Sequence, residues 1–269
     1  MGFEHVDIEK EGAVATLWLD RPEKMNAMSI DIWADIPTAM ASIESDEDIR
    51  VVILAGRGPC FTVGIDIGVL AQLAPSGPSQ AISNRNLYEK IRELQQTASV
   101  IADSRLPVIA AVHGYCLGAG MDLITACDIR LCSDDAIFSV RETKMGLVAD
   151  VGTLQRLPEI IGAGHTAEMA LTGADFDASH AVKIGLCNET LPDQEALMKR
   201  AGDLAGSIAS NSPLVAQGIK RVLAANRART VDEALDFVAQ WNTSYLISND
   251  LKEAISAFGE KREPEVKGA

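Results

Sequence analysis

The sequence predicts an α/β core over residues 1–200 and a helical C-terminal region over residues 201–269. Three observations predict it. The short apolar runs at 51–55 (VVILA) and 107–112 (PVIAAV) have the length and composition of buried strands. Each run hands over to a glycine-bearing loop and then to helical spacing, so a strand–strand–helix unit recurs. From about residue 152 onward nearly all of the chain has helical periodicity, with breaks at Pro158, Gly162, Gly173, Pro192 and Pro213.

The elements follow in order. Residues 13–19 (AVATLWL) alternate weakly and predict a strand, ended by the turn-like Asp20-Arg21-Pro22. Residues 29–45 have helical spacing with Ser29 as the N-cap. After the strand at 51–55 comes Gly56-Arg57-Gly58-Pro59, a glycine-punctuated loop. Residues 70–83, rich in Pro, Gly, Ser and Ala, predict a mobile loop before a helix over about 84–104. The strand at 107–112 leads through His113-Gly114-Tyr115 and Gly118-Ala119-Gly120 to a helix at about 120–126. Two further short strands are expected at 128–132 and 136–140.

Composition narrows the function classes. Apolar residues make up 47% and charged residues 23% of 269, enough to bury a sizeable core, although aromatics are only 4%. A net charge of −14 repels phosphate backbones, which disfavours nucleic acid and anionic membranes as partners. An anionic ligand would need a local basic patch, for which Arg21, Lys24, Lys261 and Arg262 are candidates. The five cysteines include no C-x-x-C and predict reduced thiols. The four histidines have no metal-ligand spacing, so no metal is expected. The start shows no signal core or Arg-rich leader, the end Val-Lys-Gly-Ala is no peroxisomal address, and no apolar run spans a bilayer. The expectation is a cytoplasmic protein.

Two segments look like parallel backbone devices, Phe61-Thr62-Val63-Gly64-Ile65-Asp66 and Gly118-Ala119-Gly120-Met121-Asp122. Glycine where a strand hands over to a helix lets unpaired N–H groups point into a cleft. Two such donors could grip one oxygen that gains negative charge. Taken alone, the glycines fit plain tight turns packed against a sheet better. Three acids bear on the choice. Asp122 falls in the first helical turn, where the helix dipole favours its charge. Asp150 sits among apolar residues and would also serve as a helix cap before Val151-Gly152-Thr153. Glu142, between Arg141 and Lys144, would by default form a surface ion pair. A G-x-G-x-x-A match at 162–167 follows a helical segment instead of a strand, so it does not support dinucleotide binding. No G-x-S-x-G elbow occurs, which leaves a serine hydrolase without support.

The stretch 107–157, with LDRPEKMNAM at 19–28, FTVGID at 61–66, LTGADFDASHAVKIGL at 171–186 and AFGEKREP at 257–264, resembles the crotonase family of enoyl-coenzyme A hydratases and isomerases. The likeness covers nearly the whole chain. It implies a spiral of repeated β-β-α units with a helical C-terminal appendage. A hydratase has glutamate at the positions of Asp122 and Glu142 and usually glycine at that of Asp150. The Asp, Glu, Asp set here resembles the Δ3,5-Δ2,4-dienoyl-CoA isomerase branch.

That resemblance implies Asp122, Glu142 and Asp150 as catalytic residues and the amides of Ile65 and Ala119 as the oxyanion hole. It implies contacts to substrate or coenzyme A from Lys24, Met25, Ala27, Gly64, Asp66, Gly120, Phe258 and Lys261. Phe258 and Lys261 would reach a neighbouring subunit's coenzyme A. The reaction removes a proton at C2 and adds one at C6, through a dienolate. Glu142 is matched to C2 and Asp150 to C6, with the direction open, and Asp122 would hydrogen-bond Glu142 or tune its proton affinity. The substrate is an acyl-CoA thioester, no separate cofactor is expected, and the pathway would be fatty acid β-oxidation. Alternatives are an enoyl-CoA hydratase, another crotonase-type acyl-CoA enzyme, or a non-catalytic binding protein on this scaffold. Apolar stripes such as Leu235, Val238, Trp241 and Leu246 suggest assembly, and the family implies a homotrimer or a homohexamer.

Overall fold

The computed structural model describes residues 3–72, 76–227 and 229–268. The chain opens with a hairpin of β1 (Val6–Glu11) and β2 (Val14–Leu19), turned by Gly12-Ala13. The sequence pattern passes over β1 because it is a charged edge strand, in which only Val6 is buried. Helix α1 (Ile30–Glu44) follows, and Ser29 caps it by accepting the Ile32 N–H, as its sequence predicts. Then come β3 (Val51–Gly56), α2 (Ile67–Gln72) and α3 (Gln80–Asp103). Of the loop expected over 70–83, residues 73–75 lie outside the described residues, while α3 begins four residues earlier than expected, capped by Ser79.

The second turn of the spiral comprises β4 (Val108–Val112), β5 (Tyr115–Leu117) and α4 (Ala119–Ala126). It continues with β6 (Ile129–Ser133) and β7 (Ile137–Ser139). A 3-10 turn at Arg141–Met145 leads to α5 (Thr153–Thr172), β8 (Phe176–Asp177), α6 (Ala178–Lys183) and β9 (Glu189–Leu191). Four helices complete the chain: α7 (Gln194–Ala209), α8 (Pro213–Asn226), α9 (Val231–Tyr245) and α10 (Asn249–Glu260). The glycine pattern at 162–167 falls inside α5, where Gly162 makes a kink with φ 80°.

The strands form two stacks. A six-stranded sheet runs β1-β2-β3-β4-β6-β9, parallel from β2 onward, and a three-stranded sheet runs β5-β7-β8. Thr62 bridges Cys116 in parallel, so the 61–66 segment occupies in the first turn the place β5 holds in the second. This makes the repeated β-β-α unit physical: each turn sends one strand to the large sheet and one segment to the small stack.

Alternation along β3 divides the core. Val52 and Leu54 pack with α1, α3, α4 and α5, whereas Val51, Ile53 and Ala55 face the other way. There Leu197, Ala201, Ala205 and Ala209 of α7 cover them. Alanines at i, i+4 and i+8 let this helix sit close on the sheet, filling a core poor in aromatics. The expected division at residues 200 and 201 therefore falls inside α7, a helix that seals the sheet. Helices α8 to α10 expose Val215, Ile219, Leu223, Leu235, Ile255 and Phe258. All five cysteines are free and buried, and among the described residues no helix is long and apolar enough to cross a membrane.

Candidate active site

The two glycine loops meet. Gly64 has φ +92°, and a Cβ there would lie 2.8 Å from Leu117 O and 3.6 Å from Ala119 N. No residue with a side chain fits this approach. Met28 N–H donates to Gly64 O and Asp66 N–H donates to Met28 O. This parallel bridge uses the groups flanking Ile65, so the Ile65 N–H itself turns the other way. Gly118 takes φ +51° as the N-cap of α4, so Ala119 becomes the first helical residue and its N–H has no partner within the helix. The left-handed turn falls on Gly118 and not on Ala119, so an alanine at 119 costs nothing in backbone strain. Gly64, Ile65, Gly118 and Ala119 all line one cavity of about 860 Å³.

The three acids line the same cavity. Asp122, in the first turn of α4, is 2% exposed, and burial pushes its carboxyl up to about 7. Its Oδ1 accepts the Thr153 N–H at 2.7 Å and the Thr153 hydroxyl at 2.6 Å. Of the two roles expected for Asp122, a hydrogen bond to Glu142 or tuning of its proton affinity, the hydrogen bonds go to Thr153 instead, and the two acids act on each other by charge, Glu142 adding to the upward shift of Asp122. Among the described residues Glu142 makes no surface ion pair. Arg141 instead holds Asp175, and Glu142 Oε2 is buried with no hydrogen-bond partner among the described residues. Burial first, and then the charge of Asp150, raise the Glu142 carboxyl.

Asp150 does not cap α5. Gly152 holds the cap position without a side-chain bond, and the first amide of α5 goes to Asp122. The Asp150 side chain is left to the cavity, and partial burial raises it as well. Gln95 of α3 donates to the Asp150 backbone O at 2.7 Å, tying the 147–152 loop to the helix that forms the opposite wall. Trp33, Leu87, Ile91, Leu94 and Val151 make that region apolar.

The remaining expected residues divide. Lys24, Ala27 and Asp66 line the cavity. Asp66 takes the Arg21 guanidinium at 2.6 Å, so of the two early cations proposed as a basic patch, Arg21 is already paired. Met25 does not line the cavity. It takes φ 53°, and its carbonyl accepts the Val63 N–H at 3.2 Å, fixing the 22–28 loop to the 61–66 loop. Asn26, fully buried, ties the same loop to the 57–60 segment by donating to Arg57 O and Cys60 O, and its carbonyl accepts the Thr62 hydroxyl. Gly120 lies off the cavity, because any Cβ there would meet Thr62 Cγ2 at 2.8 Å and Cys116 Sγ at 3.0 Å. Phe258 is 87% exposed and Lys261 ends α10 with φ 56°, neither of them lining the cavity of its own chain. Arg262 is spoken for by Glu253 and Glu260.

Two residues near the acids escape a reading of the sequence. Thr153 is one, since nothing local marks it as the partner of a residue 31 positions earlier. Arg156 is the other: its guanidinium packs on Gly152 and its positive charge bears on Asp122, with Nη1 buried and without a hydrogen-bond partner among the described residues. Metal ligands were also not expected, yet Glu4, His5 and Asp31 bring ligand atoms within 4.8 Å of one another, off the cavity lining.

A two-stack spiral with paired backbone donors over a cleft is the arrangement of the enoyl-CoA hydratase/isomerase family, and the chain belongs to it. The family model matches residues 9–269. The chain is 42% identical over 257 residues to the peroxisomal Δ3,5-Δ2,4-dienoyl-CoA isomerase of Arabidopsis thaliana, covering 94% of this chain and 92% of that protein. It is 43% identical over 266 residues to the mitochondrial Δ3,5-Δ2,4-dienoyl-CoA isomerase of Dictyostelium discoideum, covering 97% and 91%. Among solved structures, an enoyl-CoA hydratase from Bacillus anthracis superposes with a TM-score of 0.90 at 27% identity, covering 99% of this chain and 100% of that one. The resemblance to the dienoyl isomerase branch is therefore upheld by the relatives. The cytoplasmic placement is not, because those relatives are peroxisomal and mitochondrial.

Proposed function

We propose that the chain converts 3,5-dienoyl-CoA thioesters to 2,4-dienoyl-CoA thioesters. The observation that carries the reading is that Asp150 stands on the wall of the cavity with Glu142, instead of capping α5. A hydratase has no task for this further acid.

One carboxylate, assigned to Glu142, removes a proton from C2. The electron pair moves into the conjugated path and onto the thioester oxygen, where the Ile65 and Ala119 amides stabilise the dienolate. Each such donor contributes about 2.7–4 kcal/mol to lowering the barrier. The second carboxyl, assigned to Asp150, delivers a proton to C6 as the charge returns from the oxygen, leaving the C2=C3 and C4=C5 double bonds. The pair must hold one proton between them, and burial raises both carboxyls in the direction that favours this. Lys24, beside the cavity, faces the anionic coenzyme A portion. No cofactor beyond coenzyme A is called for, and the reaction serves the oxidation of unsaturated fatty acyl chains.

The exposed apolar positions on α8 to α10 support a homotrimer or a pair of trimers. Phe258 and Lys261 would then bear on a neighbour's substrate. Purified protein given 3,5-octadienoyl-CoA should develop the red-shifted absorbance of the 2,4-diene. Silence there, with hydration of a 2-enoyl-CoA in its place, assigns the chain to the hydratases.

A further inference from the structure

Asp122 is held by a residue that none of the proton-transfer steps requires. Thr153 is fully buried at the first position of α5, and both its N–H and its hydroxyl converge on the same Asp122 oxygen. Two hydrogen bonds to one carboxylate oxygen favour the charged form over the neutral one. The groups that face this carboxylate are Glu142 from the 3-10 turn, Asp150 from the loop before α5, and Cys116 from β5. Arg156 faces it from α5, and Asp103 of α3 and Arg227 of α8 act on Arg156 in turn. Two acids and burial oppose the charge on Asp122, and one guanidinium and Thr153 favour it. Of these, Thr153 is the one that hydrogen-bonds the carboxyl among the described residues.

We propose that Thr153 is a positioning residue for the acid cluster: its N–H and hydroxyl fix the Asp122 carboxyl by one oxygen and favour its charged form beside Glu142 and Asp150. Its consequence for turnover rests on the isomerase reading, whereas its first step concerns the resting enzyme alone. Thr153→Val keeps the shape and the N–H but deletes the hydroxyl, and Thr153→Ser restores the hydroxyl.

The test has two arms. In the first, carboxyl-carbon NMR follows the titration of Asp122 in the full-length protein, assigned by its loss in Asp122→Asn. Thr153→Val should raise the Asp122 midpoint by about one pH unit or more, and Thr153→Ser should leave it in place. In the second, kcat of Thr153→Val should depart from wild type chiefly above about pH 7, where the wild type ionises Asp122 and the variant still holds it neutral. Added to Asp122→Asn, Thr153→Val should change the profile no further. An unmoved Asp122 midpoint, or a kcat lowered by the same factor at every pH, overturns the proposal. Thermal melts accompany each variant, and Thr153→Ala replaces valine should that protein fail to fold. Absence of dienoyl turnover in the wild type would instead defeat the isomerase reading, and the NMR arm would still decide the role of Thr153.

Discussion

Gly118 faces the Glu142 carboxyl: a Cβ at position 118 would stand 3.3 Å from Oε1. One residue thereby serves two parts of the site, the turn that frees the Ala119 N–H and the space that lets Glu142 reach the cavity. Gly118→Ala should cost on the order of 1–3 kcal/mol of stability through its φ of +51°. It should lower kcat about 10²–10³-fold by displacing the Ala119 donor. Stopped-flow turnover and a denaturant titration measure the two effects. A kcat within a factor of three of wild type would remove Ala119 from the oxyanion hole.

The division of labour between Glu142 and Asp150 is separable by isotope exchange. Asp150→Asn should still exchange C2 protons of a bound thioester with D2O while isomerisation falls about 10²–10⁴-fold. Glu142→Gln should lose both. The reverse pattern exchanges the two roles, and exchange surviving in both variants rules out either acid as the C2 base.

Asp122 also has a measurable effect on stability. Its carboxyl lies at about 7 in the folded chain against an ordinary 3.8, so between these values the folded state holds a proton that the unfolded state has released. The contribution is full below about pH 4 and is lost as pH rises to about 7. Asp122→Asn should therefore gain on wild type by a few kcal/mol between pH 4 and pH 8, read from urea midpoints at the two values. Equal differences at both would mean that Asp122 ionises normally.

Assembly predicts a mass three or six times 28.7 kDa by light scattering. Ile219 and Leu223, four residues apart on α8, are 56% and 63% exposed in the single chain. Ile219→Asp with Leu223→Asp should shift the mass towards that of one chain. A wild-type mass of one chain would leave Phe258 and Lys261 without a neighbour to serve.

The sequence by itself determined the repeating strand–helix units and the two glycine loops, while the resemblance to the family singled out the three acids. The units and loops are legible because they are local: β-branched runs and glycines at strand ends announce themselves within a few residues. The edge strand β1 was not legible, since its charges hide the alternation, and the loop before α3 was drawn too long. What only the tertiary structure decided is how the acids are used. By local pattern Asp150 would also serve as a helix cap and Glu142 would by default form a surface ion pair; in the fold Asp122 takes the first amide of α5 and Asp175 takes Arg141. Those contacts join residues 31 and 34 positions apart. Hydrogen-bond partners at that range are set by how the two stacks and α5 pack around a common cavity, which no local pattern encodes.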